Sequence, residues 1–428
     1  MKQSLPQIND FYAFKIGAMW NYCRGQHFSF WMICCYLFVE FVRPQSIFPA
    51  LNFLPWAMLF ILFSAVGAFL DKSVSWVSVS ANKWMILLSI TVVISVAAAF
   101  YPEISKKRFM DFFNWVIIYF LIITIVNTRE RFYIFLGVFL VSAAKIAIGT
   151  SKAWAFRGFS FTSWGLSGPP GFFQNSGELA ILMLILFPLA YYLYINTKGR
   201  VGVWESRILL LVWICPILTI LGASSRGSQI ALVVELLIIF RKSFFRPKAF
   251  FGVLFLCYAL YQLLPDEQKE RFANMGGDKT SQQRQLYWEH GWDMMKEHPL
   301  TGVGFFNFSP YYERYFSHDM LYEFAELPHN IFIQVGTDVG FIGLTFFIIL
   351  IILCFIEPLK ILRMKELDPV FKGIAAGLAV GVLGFFIAGQ FVTVSYYPFL
   401  WINLSLIMAL KNILDTDKKR LSGRVIQE

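Results

Sequence analysis

Charge is scarce. Asp, Glu, Lys and Arg make up 15% of the 428 residues, where a soluble globular chain carries about 25%. Hydrophobic residues make up 57% and mean hydropathy is +0.59, more apolar surface than a soluble core hides. Histidine is scarcer still, with five residues. Six cysteines (Cys23, Cys34, Cys35, Cys215, Cys257, Cys354) lie in or beside apolar runs, and no spaced pair sits in a polar loop. That pattern excludes a disulfide framework or a cysteine metal site and leaves small apolar side chains. Internal repeats and low-complexity tracts are missing. The N-terminal stretch MKQSLPQINDFYAFKIGAMWNYCRG lacks an uninterrupted apolar core followed by a small-residue cleavage site. No cleaved signal peptide is expected.

What is present is a succession of apolar runs, most near the roughly 20 residues that cross about 30 Å of hydrocarbon. The expected fold is an all-α polytopic membrane protein with about 12 transmembrane helices. They fall at about 28–42, 49–70, 84–101, 109–126, 131–150, 178–196, 207–223, 226–240, 249–264, 330–356, 373–394 and 397–412. Residues 1–428 then form a single integral membrane domain with one large outer loop, at about 265–329, containing short helices. Within it, TSQQRQLYWEHGWDMMKEH reads as helical, with Leu286, Trp288, Trp292 and Met295 near helical spacing and Pro299 ending the run.

The net charge of +10 first tests topology. With the N-terminus inside, 23 of the 37 basic residues fall in inner segments and 13 in outer ones, six of those in the long loop; Lys145 lies within a span. Short inner loops such as RKSFFRPK are strongly basic, as the positive-inside rule requires. Both termini are expected in the cytoplasm. Topology accounts for the charge, and no nucleic-acid partner is expected.

Two outward junctions stand out. AELPHNIFIQVG (325–336) places Pro328, His329 and Asn330 in front of a span, and GASSRGSQIA (222–231) places Arg226 at the start of another. Helix N-termini favour anions, and a guanidinium adds bidentate phosphate recognition. Ser224 or Ser225 is a natural N-cap. Plainer readings remain: Arg226 snorkels to headgroups, His329 helps Asn330 cap its helix, and Arg284 is a solvated loop charge. Lys106, Lys107 and Arg108 either attract a phosphate-bearing lipid or anchor the interface. Lys145 is a polar-site candidate that otherwise pairs or snorkels.

Four stretches, GFFQNSGELAILMLILFP (171–188), GASSRGSQIAL (222–232), RQLYWEHGWDMMKEHPLTGVGFFNF (284–308) and PHNIFIQVGTDVGFIGL (328–344), together resemble the O-antigen ligase and polymerase superfamily. The resemblance covers about 171–345; the first 170 residues carry no motif that aligns. It implies a bacterial inner-membrane enzyme working at the periplasmic face, with 265–329 as a periplasmic loop forming part of the active site. Such enzymes pass a glycan from undecaprenyl pyrophosphate to an acceptor. The resemblance implies that Arg226 and Arg284 hold the pyrophosphate and that His329 activates or orients the acceptor hydroxyl. Candidate substrate-binding residues around them are Asn330, Ser225, Gln229, Asn175, Arg157, Lys107 and Arg108. No cofactor and no metal is expected, because the first outer loop, RPQSIF, has no acidic residue and Asp266-Glu267 is the only adjacent acidic pair in the outer loops. A lipid A-core acceptor is favoured over a lipid-linked repeat or a protein hydroxyl. The competing class is a transporter without chemistry, kept open by Glu235, Asp338 and Lys145.

Overall fold

The computed structural model describes residues 8–161, 165–241, 262, 269 and 277–425. Every regular element among them is a helix. Short α1 (Ile8–Tyr12) and α2 (Ile16–Arg24) precede α3 (Phe28–Val42), α4 (Pro44–Ile47), α5 (Trp56–Leu70) and α6 (Asn82–Ala97). The longer α7 (Pro102–Ile125), α8 (Arg129–Phe156), α9 (Ser176–Thr197) and α10 (Val203–Gly222) lead to α11 (Arg226–Ile239). After the segment outside the described residues come α12 (Lys279–Glu297), α13 (Phe308–Tyr315), α14 (Ile331–Leu362), α15 (Pro369–Ala388) and α16 (Pro398–Val425).

Seven of these, α7 to α10 and α14 to α16, are long and apolar enough to cross a membrane. The protein is a helical, multi-pass membrane protein. Three further apolar helices are shorter: α3 and α5 have 15 residues each and α6 has 16, about 22–24 Å at 1.5 Å per residue. The expected span at 226–240 is the 14-residue α11. The one expected at 249–264 lies outside the described residues, as does the Asp266-Glu267 pair.

The bundle is organised around α9, whose side chains from Glu178 to Ala190 are all buried. A helix apolar all round has to be enclosed by others. Its main partner is α15, where Gly373, Gly377 and Gly381 recur every four residues. A Cβ on Gly377 would meet the Leu189 backbone at 2.7 Å, and one on Gly381 would meet Ile185 at 3.1 Å. With lipid as apolar as leucine, such close backbone approach drives helix association in membranes.

Helix α14 is broken at Gly340 (φ 71, ψ −176), a conformation open to glycine alone. The segment after α12 fills the break. Phe341 N–H donates to Pro299 O at 2.8 Å, Val303 N–H to Thr337 O at 2.8 Å, and Phe306 N–H to Asp338 Oδ1 at 2.9 Å. Residues 299–307 are thereby pinned against a span, which sets the position of the helix before them. Lys145 is exposed on α8. Arg131, one of the basic residues counted in the inner segments, is buried. Its guanidinium bonds Gln26 Oε1 at 2.7 Å, Ile125 O at 3.0 Å and Ser73 Oγ at 3.1 Å.

Candidate functional site

Three elements converge at the loop end of the bundle: the start of α11, the first half of α12 and the approach to α14. Arg226 is the first residue of α11, after Ser224 in the left-handed region (φ 57) and Ser225 at the N-cap. The serines do not cap as expected. Ser225 Oγ meets Ser228 Oγ at 3.0 Å, which leaves the first N–H groups of the helix without a side-chain cap. Both terminal nitrogens of Arg226 donate to Asp278 Oδ2 at 3.2 Å. Asp278 is the N-cap of α12 and also accepts from Ser281 N–H at 3.0 Å and Ser281 Oγ at 2.7 Å. Burial raises its pKa, but Ser281 and Arg226 outweigh that and hold the carboxyl below its usual range.

Arg284 lies in the second turn of α12. Its Nε is buried, and no described residue accepts from it. Burial first, and then the charge of Arg226, push this guanidinium below its ordinary value; Glu326 and Asp278 pull the other way. The two guanidinium groups are thus within electrostatic reach of one another, as are the Asp278 and Glu326 carboxylates of Arg284.

His329 is not the helix cap. Asn330 is, with Oδ1 accepting from Phe332 N–H at 2.8 Å and Ile333 N–H at 3.2 Å. His329 precedes it with φ 50, an uncommon conformation that needs support from its surroundings. The support is visible: His329 N–H donates to Thr393 Oγ1 at 2.9 Å, and Nε2 meets Glu326 Oε2 at 2.8 Å. The hydrogen bond from His329 is the main reason the Glu326 carboxyl sits below its ordinary value, with Arg284 adding to it against the effect of burial. Trp288 of α12 closes the ring by donating to Pro328 O at 2.9 Å.

The comparisons fall on this region. Residues 209–348 match the O-antigen ligase family. The chain carries an O-antigen ligase domain. Residues 11–200 match a family of unknown function (DUF5935), so the stretch before 170, without a motif in the resemblance, has a family match of its own. No curated protein matches. The ligase domain contains Arg226, Asp278, Arg284, Glu326, His329 and Asn330, so one family segment supplies all the charged groups just described.

The other candidates divide. Gln229 Nε2 bonds Leu221 O at 3.2 Å, and Asn175 shares a reciprocal capping box with Glu178 at the start of α9; both finish helix ends. That end of α9 is nonetheless near the start of α11, since a Cβ on Gly177 would come within 3.9 Å of Ser225 Oγ. Arg157 is exposed at the end of α8. Lys107 and Arg108 are exposed on α7, with Arg108 bonded to Asp111 at 3.2 Å and over the Phe306 ring. They form a separate group from the two arginines. On α12 the buried stripe is Gln283, Tyr287, Gly291, Met294 and Met295, and Trp292 is half exposed. Asp278 and Glu326 were missed, although an Asp three residues before Ser281 is an N-cap signal.

The depressed carboxyls give a pH prediction. A carboxyl with a lowered folded-state pKa contributes stability that is complete above its unfolded value of about 4 and is lost as pH falls through the folded value. Hydrogen exchange in α12, corrected for intrinsic rate, should be flat from about pH 8 to 5 and rise only below about 4. Loosening already between pH 7 and 5 would show that these two pairs do not dock the helix.

Proposed function

We propose that the protein transfers a glycan from undecaprenyl pyrophosphate to an acceptor hydroxyl at the periplasmic face, with lipid A-core as the acceptor. The observation that carries this reading is the neighbouring pair Arg226 and Arg284, the second half-buried with a buried, unpartnered Nε. Two like charges so placed are costly, and a diphosphate between them would turn that cost into binding. A guanidinium fork suits the paired oxygens of a phosphate.

Chemistry follows from this placement. The acceptor oxygen attacks the anomeric carbon from the side opposite the pyrophosphate. The carbon–oxygen bond to phosphorus breaks, and the electron pair leaves with a pyrophosphate whose charge the arginines stabilise. The acceptor's proton passes to the His329 ring, which Glu326 holds through Nε2 so that Nδ1 faces the hydroxyl. One displacement inverts the sugar, with no covalent sugar–enzyme step and no metal. Purified enzyme should keep full turnover in excess EDTA. Loss of activity restored by a divalent cation would refute the arginine mechanism.

A polymerase would share these steps and differ only in its acceptor. Deletion of the gene followed by gel analysis of surface glycans separates them: loss of all capped lipopolysaccharide fits the ligase, while a single repeat persisting on the core fits the polymerase. A transporter is disfavoured because the one broken span among the described residues, α14, has its freed backbone groups bonded to the protein's own loop. The orientation has its own test. A cysteine at Glu289 should react with a membrane-impermeant reagent in intact cells, and one at Lys365 should not; the reverse result would put the site on the wrong face.

A further inference from the structure

Beside the arginine pair, across residues 389–397, runs a second band of cationic and aromatic side chains. Arg43 has left-handed backbone (φ 50) between α3 and α4. Its guanidinium is 5.9 Å from the centroid of the Phe172 ring and lies against Gly171, where a Cβ would come within 2.2 Å of it. Phe172 packs edge-on to Tyr397, with ring centroids 5.0 Å apart. Tyr397 in turn lies beside Glu178 and within electrostatic reach of Arg108. The Arg43 guanidinium has a long ion pair with Glu40 at 3.6 Å, and its Nε is buried without a hydrogen-bond partner among the described residues. A half-buried guanidinium with an unbonded Nε is a place for an anion.

We propose that Arg43, with Arg108, binds the phosphate of an anionic glycolipid, and that Phe172 and Tyr397 carry its sugar rings. This is an acceptor subsite for the transfer reading above and rests on that reading. Flat rings suit the apolar faces of sugars, and the Tyr397 ring adds a polar hydroxyl at its rim. The location also fits. Tyr397 follows Thr393, which holds the His329 backbone, by four residues, at most about 14 Å of chain. A glycolipid anchored on the band would present its outer sugars to His329 while the donor's phosphates occupy Arg226 and Arg284. Arg43 is a binding residue here and takes no part in the displacement.

The test uses the full-length protein in nanodiscs, a diphosphorylated lipid A-core glycolipid and its phosphatase-treated form. Wild type should bind the phosphorylated form at least about tenfold more tightly, as expected of charge-assisted hydrogen bonds. Arg43→Ala should remove that preference and raise the acceptor KM by the same factor, leaving donor KM and kcat unchanged. Arg43→Asn, which tolerates the left-handed backbone, should behave as Arg43→Ala does and so separates lost charge from lost folding. A preference that survives in both variants overturns the subsite. A wild type that discriminates between the glycolipids but transfers nothing overturns the transfer reading and leaves the subsite standing.

Discussion

Arg226→Lys should lose transfer nearly as completely as Arg226→Ala, by about 10²–10³-fold in kcat, the usual effect of removing a group that stabilises developing charge. Arg226 sits where an anion and a guanidinium meet at close range: first residue of α11, beside the uncapped N–H groups, with both terminal nitrogens turned to one side. A lysine at that position keeps the charge and loses the fork. It also loses the paired contact with Asp278 that aims the side chain. Arg284→Lys should fail for a second reason, since an ammonium in its half-buried place is the more strongly hydrated ion. Transfer by reconstituted enzyme at matched protein concentration is the measurement. A lysine variant at position 226 with more than about a tenth of wild-type kcat would reduce Arg226 to an interface residue, as would equal donor affinity in wild type and alanine variant.

His329→Ala should lose transfer by about 10²–10⁴-fold, the usual contribution of a general base, while inserting, folding and still binding donor. Asn330 caps α14 without the histidine, so the helix start survives the change. Glu326→Gln should give a partial loss, because an amide can still accept from Nε2 but carries no charge to stabilise a protonated ring. The other loop histidines have local partners: His290 meets Asp319 at 2.8 Å and stacks on Phe316, and His298 meets Tyr311 at 3.2 Å. Alanine at His290, His298 or His318 should cost loop stability and leave most of the transfer rate. Near-normal transfer by His329→Ala, or equal losses at all four positions, would leave only a histidine that shapes a turn.

Helices and their order were legible because apolar length is a local property: α8, α9 and α14 follow from runs of leucine, isoleucine and phenylalanine. Helix α12 was legible for the same reason, from its spacing and from Pro299. Partners were not. Nothing in the order of residues says that Asp278 takes both terminal nitrogens of Arg226 across 52 positions, or that Glu326 rather than a helix end holds His329. Arg131 shows the limit from the other side, since it counted as a basic residue of an inner segment while its guanidinium bonds Gln26, Ile125, Asn127 and Ser73. The break in α14 was hidden as well. Gly340 is one of 29 glycines, and only the docked 299–307 segment explains its backbone. Arg43 went unnoticed as a single outer charge until Phe172 was beside it.

The central claim is glycan transfer driven by an arginine-bound pyrophosphate. Its most direct test is reconstitution of the purified protein with one defined undecaprenyl-pyrophosphate glycan and lipid A-core, followed by determination of the new linkage by NMR. The account predicts stoichiometric release of undecaprenyl pyrophosphate and a product with inverted anomeric configuration, in the presence of EDTA. Retention of configuration, or uptake of the donor without any new glycosidic bond, would contradict it.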